Sequence, residues 1–265
     1  MRSLKAIVAN AREDETVSAD VRLGERFERK YFVPPKSIGF AYSLLRQVCR
    51  PDDEHSRDRV NSLYFDTPDL DYYTASADGE FKKEKVRIRW YGETRHPRET
   101  VPVFLELKSR QGLASSKERQ RMLVSSERLQ LAHLGTGIVD RSMLVGTLAR
   151  FGHYLENSLR PIILISYMRY RFIEMLTGMR ISLDYDIHSS MVARELGHGE
   201  RELPLQGGVI EVKGPTMDWP ATLARIKMLD VDWSKFSKYC YCIESHFTDP
   251  GSVGRLWPAG KMIRP

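Results

Sequence analysis

Lys85-Val86-Arg87-Ile88-Arg89-Trp90-Tyr91 alternates cationic and apolar side chains with a period of two. A β-strand sends successive side chains to opposite faces. Lys85, Arg87 and Arg89 therefore share one face, and Val86, Ile88 and Trp90 share the other. The apolar face reads as core. Three cations in a row repel one another, so their face meets water or an anion.

The device recurs along the chain. Glu28 and Lys30, Glu106 and Lys108, and Glu211 and Lys213 are each two apart in strand-like stretches. Lys117, Arg119 and Arg121 fall at i, i+2 and i+4, and Tyr167, Arg169 and Arg171 have the same spacing. Taken singly, each is an ordinary solvent-facing strand. If their charged faces converge, they enclose a pocket rich in cations with a few carboxylates. Such a lining suits a polyanion and a divalent metal, because Arg and Lys bind phosphate and carboxylates hold Mg²⁺ or Mn²⁺.

The rest of the chain sets bounds. Its 265 residues are 42% hydrophobic, enough for a real core, and carry a net charge of +6. An anionic partner fits that charge, but both signs are mixed throughout and no polybasic tail stands out, which argues against nucleic acid. Cys49, Cys240 and Cys242 are too few for a disulfide framework, and Cys240-Tyr241-Cys242 lacks a second thiol pair to complete a zinc site. Met1 to Asp20 lacks a signal peptide's apolar core. No apolar run approaches the roughly 18–20 residues of a membrane span. A cytoplasmic location is the expectation.

In order, residues 1–21 read as a loose tail. Strands are expected at Arg26 to Val33, Val60 to Phe65, Phe81 to Tyr91, Val101 to Ser109, Lys117 to Val124, Pro161 to Glu174, Met179 to His188 and Val209 to Lys213. Helices are expected at Lys36 to Arg50, capped by Ser37, from Ser125 to about Glu156 with a break at Gly135-Thr136-Gly137, and near Pro220 to Leu229 and Ser237 to Glu244. Ser189 to Gly207 reads as a long polar loop, and 247–265 as a loose tail. Residues 22–246 form one antiparallel β-rich domain decorated with helices.

A closed barrel of about eight strands can hold one small ligand. Bound polyphosphate would neutralise a cationic lining, with Arg87 and Arg89 giving forked contacts and Lys30, Lys108 and Lys213 giving point charges. Glu211 is the leading metal candidate, because Val209, Ile210 and Val212 mark a buried strand; an ion pair with a neighbouring cation is the alternative. Glu28 and Glu106 are weaker candidates, each having a Lys two residues on. The chain has no Gly-x4-Gly-Lys-Ser/Thr loop and no Gly-x-Gly-x-x-Gly element. Ser62, Ser166 and Ser182 lack triad partners, and the seven His residues have no metal-ligand spacing.

Six stretches together resemble a known family. They are Arg26 to Val33, Ser62 to Thr67, Val86 to Gly92, Phe104 to Lys108, Val209 to Lys213 and Phe236 to Tyr239. Their order resembles the VTC domain, the catalytic module of vacuolar transporter chaperone polyphosphate polymerases. That domain belongs to the triphosphate tunnel metalloenzymes, beside CYTH-type triphosphatases and cyclases. The resemblance runs from about residue 25 to 243. It implies an α+β fold, an antiparallel eight-stranded β-barrel (a triphosphate tunnel) decorated with helices. It implies transfer of the terminal phosphate of ATP to polyphosphate, with Mn²⁺ or Mg²⁺ as cofactor. The phosphate-binding cations would be Lys30, Arg87, Arg89, Lys108, Lys117, Arg169, Arg180 and Lys238, with Lys235 assisting Lys238. Tyr167 and Ser237 would add hydroxyl contacts, and Glu211 would hold the metal. Arg87, Arg89, Lys238 and Glu211 would carry catalysis.

The first strand departs from the Glu-x-Glu-x-Lys of other tunnel enzymes, because Arg26 replaces the first acid. This suits VTC domains better than triphosphatases. Membrane polymerases of the family add a phosphate-sensing helical domain and a membrane tail; neither is expected in this sequence, which leaves a membrane-anchored partner open. A tripolyphosphatase or nucleoside triphosphatase, and a binding module without turnover, remain alternatives.

Overall fold

Among the described residues, ten strands form one sheet. The computed structural model describes residues 27–93, 99–112, 114–196, 202–216, 219–229 and 237–248. Its elements are β1 (Phe27–Val33), α1 (Ile38–Val48), β2 (Cys49–Pro51), β3 (Arg57–Asp66), α2 (Asp71–Ala77), β4 (Lys82–Tyr91), β5 (Thr100–Gln111) and β6 (Ala114–Ser125). There follow α3 (Leu131–Leu134), α4 (Arg141–Arg150), β7 (Arg160–Glu174), β8 (Arg180–Met191), β9 (Glu202–Leu205), β10 (Gly208–Gly214) and α5 (Lys238–Thr248). The expected tail at 1–21 lies outside the described residues, as does Lys235; of the tail expected at 247–265, Phe247 and Thr248 instead end α5, and the rest lies outside the described residues.

The main path runs β1-β10-β8-β7-β3-β4-β5-β6, with β2 added to β7 and β9 to β8. All its pairings are antiparallel. Twist accumulates along such a path and curls it. The curl brings distant strands together: Lys108 of β5 reaches Glu28 of β1, Nζ to Oε2 3.4 Å, although nearly the whole path separates them. The fold is the expected α+β arrangement, an antiparallel sheet curled around a lumen.

Alternation assigns the two faces. The convex face is apolar and covered in two patches. Val86, Ile88, Trp90, Leu105 and Leu107 pack under Leu134, Leu144 and Leu148 of α3 and α4. Ile181, Leu183, Ile210 and Val212 pack under Ala41, Leu44 and Leu45 of α1 and under Leu223 and Ile226. On the concave side, α5 lays Tyr239, Cys240 and Ile243 against Phe32, Tyr64, Ile163, Ile165 and Val209. Charged side chains dominate the rest of that side.

Several boundaries differ from expectation. The first helix stops at Val48, because Cys49–Pro51 pairs with β7 as an edge strand, where Pro51 is tolerated. Ser37 makes no side-chain capping bond. The expected helix from Ser125 is broken into a 3₁₀ turn, α3 and α4, with Gly152 at φ 76° after the last. Phe151 and Leu155 still pack against the core. Residues Ala221–Leu229 are 3₁₀ rather than α. The expected loop from Ser189 to Gly207 contains the end of β8 and the edge strand β9. Leu203 and Leu205 alternate inward, a period that Pro204 disguises. All three cysteines are free and buried.

One buried acid fixes α5. Asp66 accepts bonds from the amides of Thr67, Tyr72 and Tyr73 at 2.8, 2.9 and 2.8 Å, and from the Tyr239 hydroxyl at 2.6 Å. It thereby ties α2 and α5 to the end of β3. Asp66→Ala leaves these donors without an acceptor. It should cost about 3 kcal/mol, read as a lowered denaturant midpoint. A shift near zero would show that water replaces the carboxylate.

Candidate functional site

Residues directly opposite in an antiparallel ladder present their side chains on one face. The register therefore builds the lumen rung by rung. Lys30 stands opposite Glu211, which stands opposite Ser182. Glu28 meets Lys213, which meets Arg180. Arg169 faces Asp184. Ser62 faces Arg89, and Tyr64 faces Arg87. Arg87 faces Glu106, and Glu106 faces Arg119; Lys85 faces Lys108, and Lys108 faces Lys117. The scattered charged pairs of the sequence thus share one concave face.

Four carboxylates organise the cations. Glu106 binds Arg87 at 2.8 Å and Lys117 at 2.9 Å, with Arg119 at 3.5 Å and Arg89 at 3.8 Å. Burial pushes its pKa up, but Arg87, Arg89 and Lys117 hold it far below the usual carboxylate range. Asp184 receives Arg169 through Nε at 2.6 Å and Nη2 at 2.8 Å, and Lys238 at 2.5 Å. Glu211 pairs with Lys213 at 2.7 Å and Arg169 at 3.3 Å. Burial raises its pKa, and Lys213, Arg169, Lys30 and Lys238 more than offset that, so it stays ionised. Glu28 pairs with Lys30 at 3.0 Å, Lys108 at 3.4 Å and Lys213 at 3.8 Å.

The central arginines are held rigidly. Arg87 donates Nε to Glu106 at 2.9 Å and Nη1 to the Tyr64 hydroxyl at 3.0 Å. Arg89 donates Nε to Ser62 Oγ at 3.1 Å and Nη2 to the Tyr167 hydroxyl at 3.4 Å. Tyr167 sits where the β7–β8 register shifts, between Ser166 and Met168. The extra residue is on β8, at Asp186 with φ 51°, and β7 keeps its alternation, so Tyr167 stays on the lumen face. Its ring faces the Lys238 ammonium at 4.8 Å and the Arg169 guanidinium at 5.4 Å.

Of the residues expected at the site, Lys30, Arg87, Arg89, Lys108, Lys117, Tyr167, Arg169, Glu211, Ser237 and Lys238 line this lumen. Arg180 shares the face by register but stands exposed at the rim. It forms no ion pair among the described residues. Asp184 and Tyr64 were not picked out in the sequence, and Lys85, placed on the cationic face, was given no contact there. The Leu183-Asp184-Tyr185 alternation was the one available signal for Asp184.

Lys85 differs from the other lumen lysines. Its Nζ bonds to Ser237 Oγ at 2.9 Å, and it forms no ion pair with a carboxylate among the described residues. Burial pushes its pKa down to about 8, with Lys30 and Lys108 adding to the effect against Cys240 and Tyr64. Its charge therefore disappears as pH rises through that value. Tripolyphosphate affinity should fall about ten-fold more between pH 7 and pH 10 in the wild type than in Lys85→Met, since a charge-assisted contact is lost. Parallel pH profiles by titration calorimetry would remove Lys85 from the ligand.

No group of three or more His, Cys, Asp or Glu able to hold a metal occurs among the described residues. Glu28 and Glu211 share Lys213, at 3.8 and 2.7 Å, which sets the two carboxylates near each other. A Mg²⁺-like ion takes one or two carboxylates and completes its shell with water and substrate phosphate. The donor set fits an ion of that kind, delivered with phosphate, and not a closed protein cage. No helix among the described residues is long and apolar enough to cross a membrane.

Solved structures with a similar backbone include a provisionally named adenylate cyclase of Bacillus halodurans (18% identity, TM-score 0.48, covering 83% of this chain and 96% of that one). Another is a provisional adenylyl cyclase of Hippeastrum described as having a dominant triphosphatase activity (16%, 0.46, 83% and 96%). A third is a provisional adenylate cyclase of Vibrio parahaemolyticus (15%, 0.45, 83% and 97%). No curated protein sequence matches. The profile of the VTC domain matches residues 25–247, which spans every strand of the lumen and the helix that closes it, and the chain belongs to the VTC domain family.

Proposed function

We propose that this protein is a metal-dependent polyphosphate polymerase, which moves the terminal phosphoryl group of ATP onto a growing polyphosphate chain inside the lumen. The observation that carries the reading is the surplus of cations over carboxylates on one concave face, with Arg87 and Arg89 at its centre. Phosphoryl transfer needs positioning and charge stabilisation more than a nucleophilic side chain. The attacking group, a terminal oxygen of the chain, is already ionised and needs no base. Arg87 and Arg89, held by Tyr64, Ser62 and Glu106, are aimed before the substrate arrives, so little reorganisation is needed at reaction. Lys30, Lys108, Lys117, Arg169 and Lys238 offset the charge of two polyanions brought together. Mn²⁺ or Mg²⁺, held by Glu211 with Glu28 beside it, would screen phosphate oxygens and polarise the transferred group. ADP leaves as the chain lengthens by one unit. The reading carries a cytoplasmic location with it, where ATP is available, and needs no nucleic acid.

Purified protein incubated with ATP and Mn²⁺ tests this on a gel stained for polyphosphate, with ADP and free phosphate assayed together. The expected result is a ladder of long anions with ADP and little free phosphate. Free phosphate without a ladder would make water the acceptor and the protein a hydrolase. Tight binding of tripolyphosphate with no product would make it a binding module.

A further inference from the structure

Tyr91 and Phe104 break the charge pattern of the lumen face. Tyr91 lies two residues beyond Arg89 on that face, and Phe104 stands directly opposite Arg89 in the ladder. Unlike Tyr64 and Tyr167, which are buried, Tyr91 is 37% exposed, and Phe104 is half-buried. Their ring centroids are 6.0 Å apart and the rings are nearly perpendicular. Two guanidinium groups flank them. That of Arg171 lies 5.7 Å from the Tyr91 ring, and that of Arg119 lies 3.6 Å from the Phe104 ring. Arg171 is itself fixed, donating Nη1 to Asp58 at 2.5 Å and to the His55 carbonyl at 3.0 Å. The result is a solvent-open aromatic and guanidinium surface at one mouth of a phosphate-binding tunnel.

Phosphate gains nothing from an aromatic face, whose negative quadrupole repels it. A nucleobase does gain, because every base has a π-face that stacks on Tyr, Phe or a guanidinium plane. Four residues of strand separate Arg87 from Tyr91, roughly 13 Å. That span accommodates a triphosphate and a ribose between a terminal phosphate on Arg87 and a base on Tyr91. The other exposed aromatic of matching parity is Phe81, just before β4, which covers Gly112 in the β5–β6 turn. It is six residues from Arg87, roughly 20 Å, too far for a base whose terminal phosphate is on Arg87.

We propose that Tyr91 and Phe104 form a nucleobase subsite, so that a nucleoside triphosphate enters base-outward at this mouth with its phosphates on Arg89 and Arg87. The inference rests on the polymerase reading for its substrate. It gives the lumen a direction: nucleotide at the Tyr91 mouth, and the polyphosphate chain towards Lys85, Lys108 and Lys117.

Calorimetric titration of the full chain with tripolyphosphate and with the β,γ-imido analogue of ATP, both with Mg²⁺, tests it in wild type, Tyr91→Ala, Tyr91→Phe and Phe81→Ala. Tyr91→Ala should weaken the ATP analogue about ten-fold and leave tripolyphosphate within about two-fold. Tyr91→Phe should restore binding, and Phe81→Ala should change neither ligand. Undiminished binding of the analogue by Tyr91→Ala, or an equal loss for both ligands, would overturn the subsite and leave the polymerase reading standing. So would a selective loss of the analogue in Phe81→Ala. A wild type that binds neither ligand would overturn both.

Discussion

Glu211→Gln should lower phosphoryl transfer more than about 100-fold while tripolyphosphate still binds. Loss of groups that merely support a metal ligand costs about 10–100-fold, so loss of the ligand's own charge should cost more. The substitution keeps the side chain's shape and removes only its charge. It should not unfold the protein, because both main partners of Glu211 have a second carboxylate. Arg169 keeps its two bonds to Asp184, and Lys213 keeps Glu28 at 3.8 Å. The lumen becomes one charge more positive, which favours a polyanion. Activity and tripolyphosphate affinity would therefore separate, a split that general damage does not produce. Undiminished turnover would mean that Glu211 only balances Lys213 and Arg169.

Asp184→Ala should act on stability instead. Asp184 is completely buried, and it is the shared acceptor of Arg169 and Lys238. Removing one member of a buried pair leaves an uncompensated charge, at a cost of about 3–5 kcal/mol. Arg169 retains Glu211 at 3.3 Å, and Lys238 loses the 2.5 Å bond that ties α5 to β8. Burial raises the Asp184 pKa, but Arg169 and Lys238 bring it below the ordinary range. The group thus stabilises the fold above the ordinary carboxylate pKa and loses that contribution as acid protonates it. The wild type should lose stability on acidification more steeply than Asp184→Asn, measured by thermal melts across pH. Coincident slopes, or a cost in Asp184→Ala below about 1 kcal/mol, would show that the pair is not what anchors α5.

These two acids also show how far the sequence could be read. Glu211 was legible because Val209, Ile210 and Val212 mark its strand as buried, and alternation placed it beside Lys213. The same alternation placed Arg87 with Arg89, and Lys30 with Glu28. Asp184 was not legible. Its partner Lys238 lies 54 residues away on a helix, and no local period reports a contact of that range. Parity with Arg169 placed Tyr167 on the lumen face, but no local pattern reports that its ring meets Lys238. The edge strand β9 was hidden because Pro204 punctuates it, although an edge tolerates a residue that donates no ladder bond. Docking of α5 on the concave side depends on Asp66, which by itself reads as an ordinary turn acid.

The ends of the sheet have a consequence for a polymer. Among the described residues no backbone ladder joins β6 to β1, and side chains such as Lys108 and Glu28 bridge the gap instead. A wall sewn by backbone bonds releases a thread only at its ends. A wall closed by half-exposed ions can be parted along its length, and it parts more readily as salt screens the charges. If the lumen extends polyphosphate as proposed, a seam that holds the anion in dilute buffer would let it slip out sideways in concentrated salt, and the number of units added per encounter would be set by ionic strength as much as by chemistry.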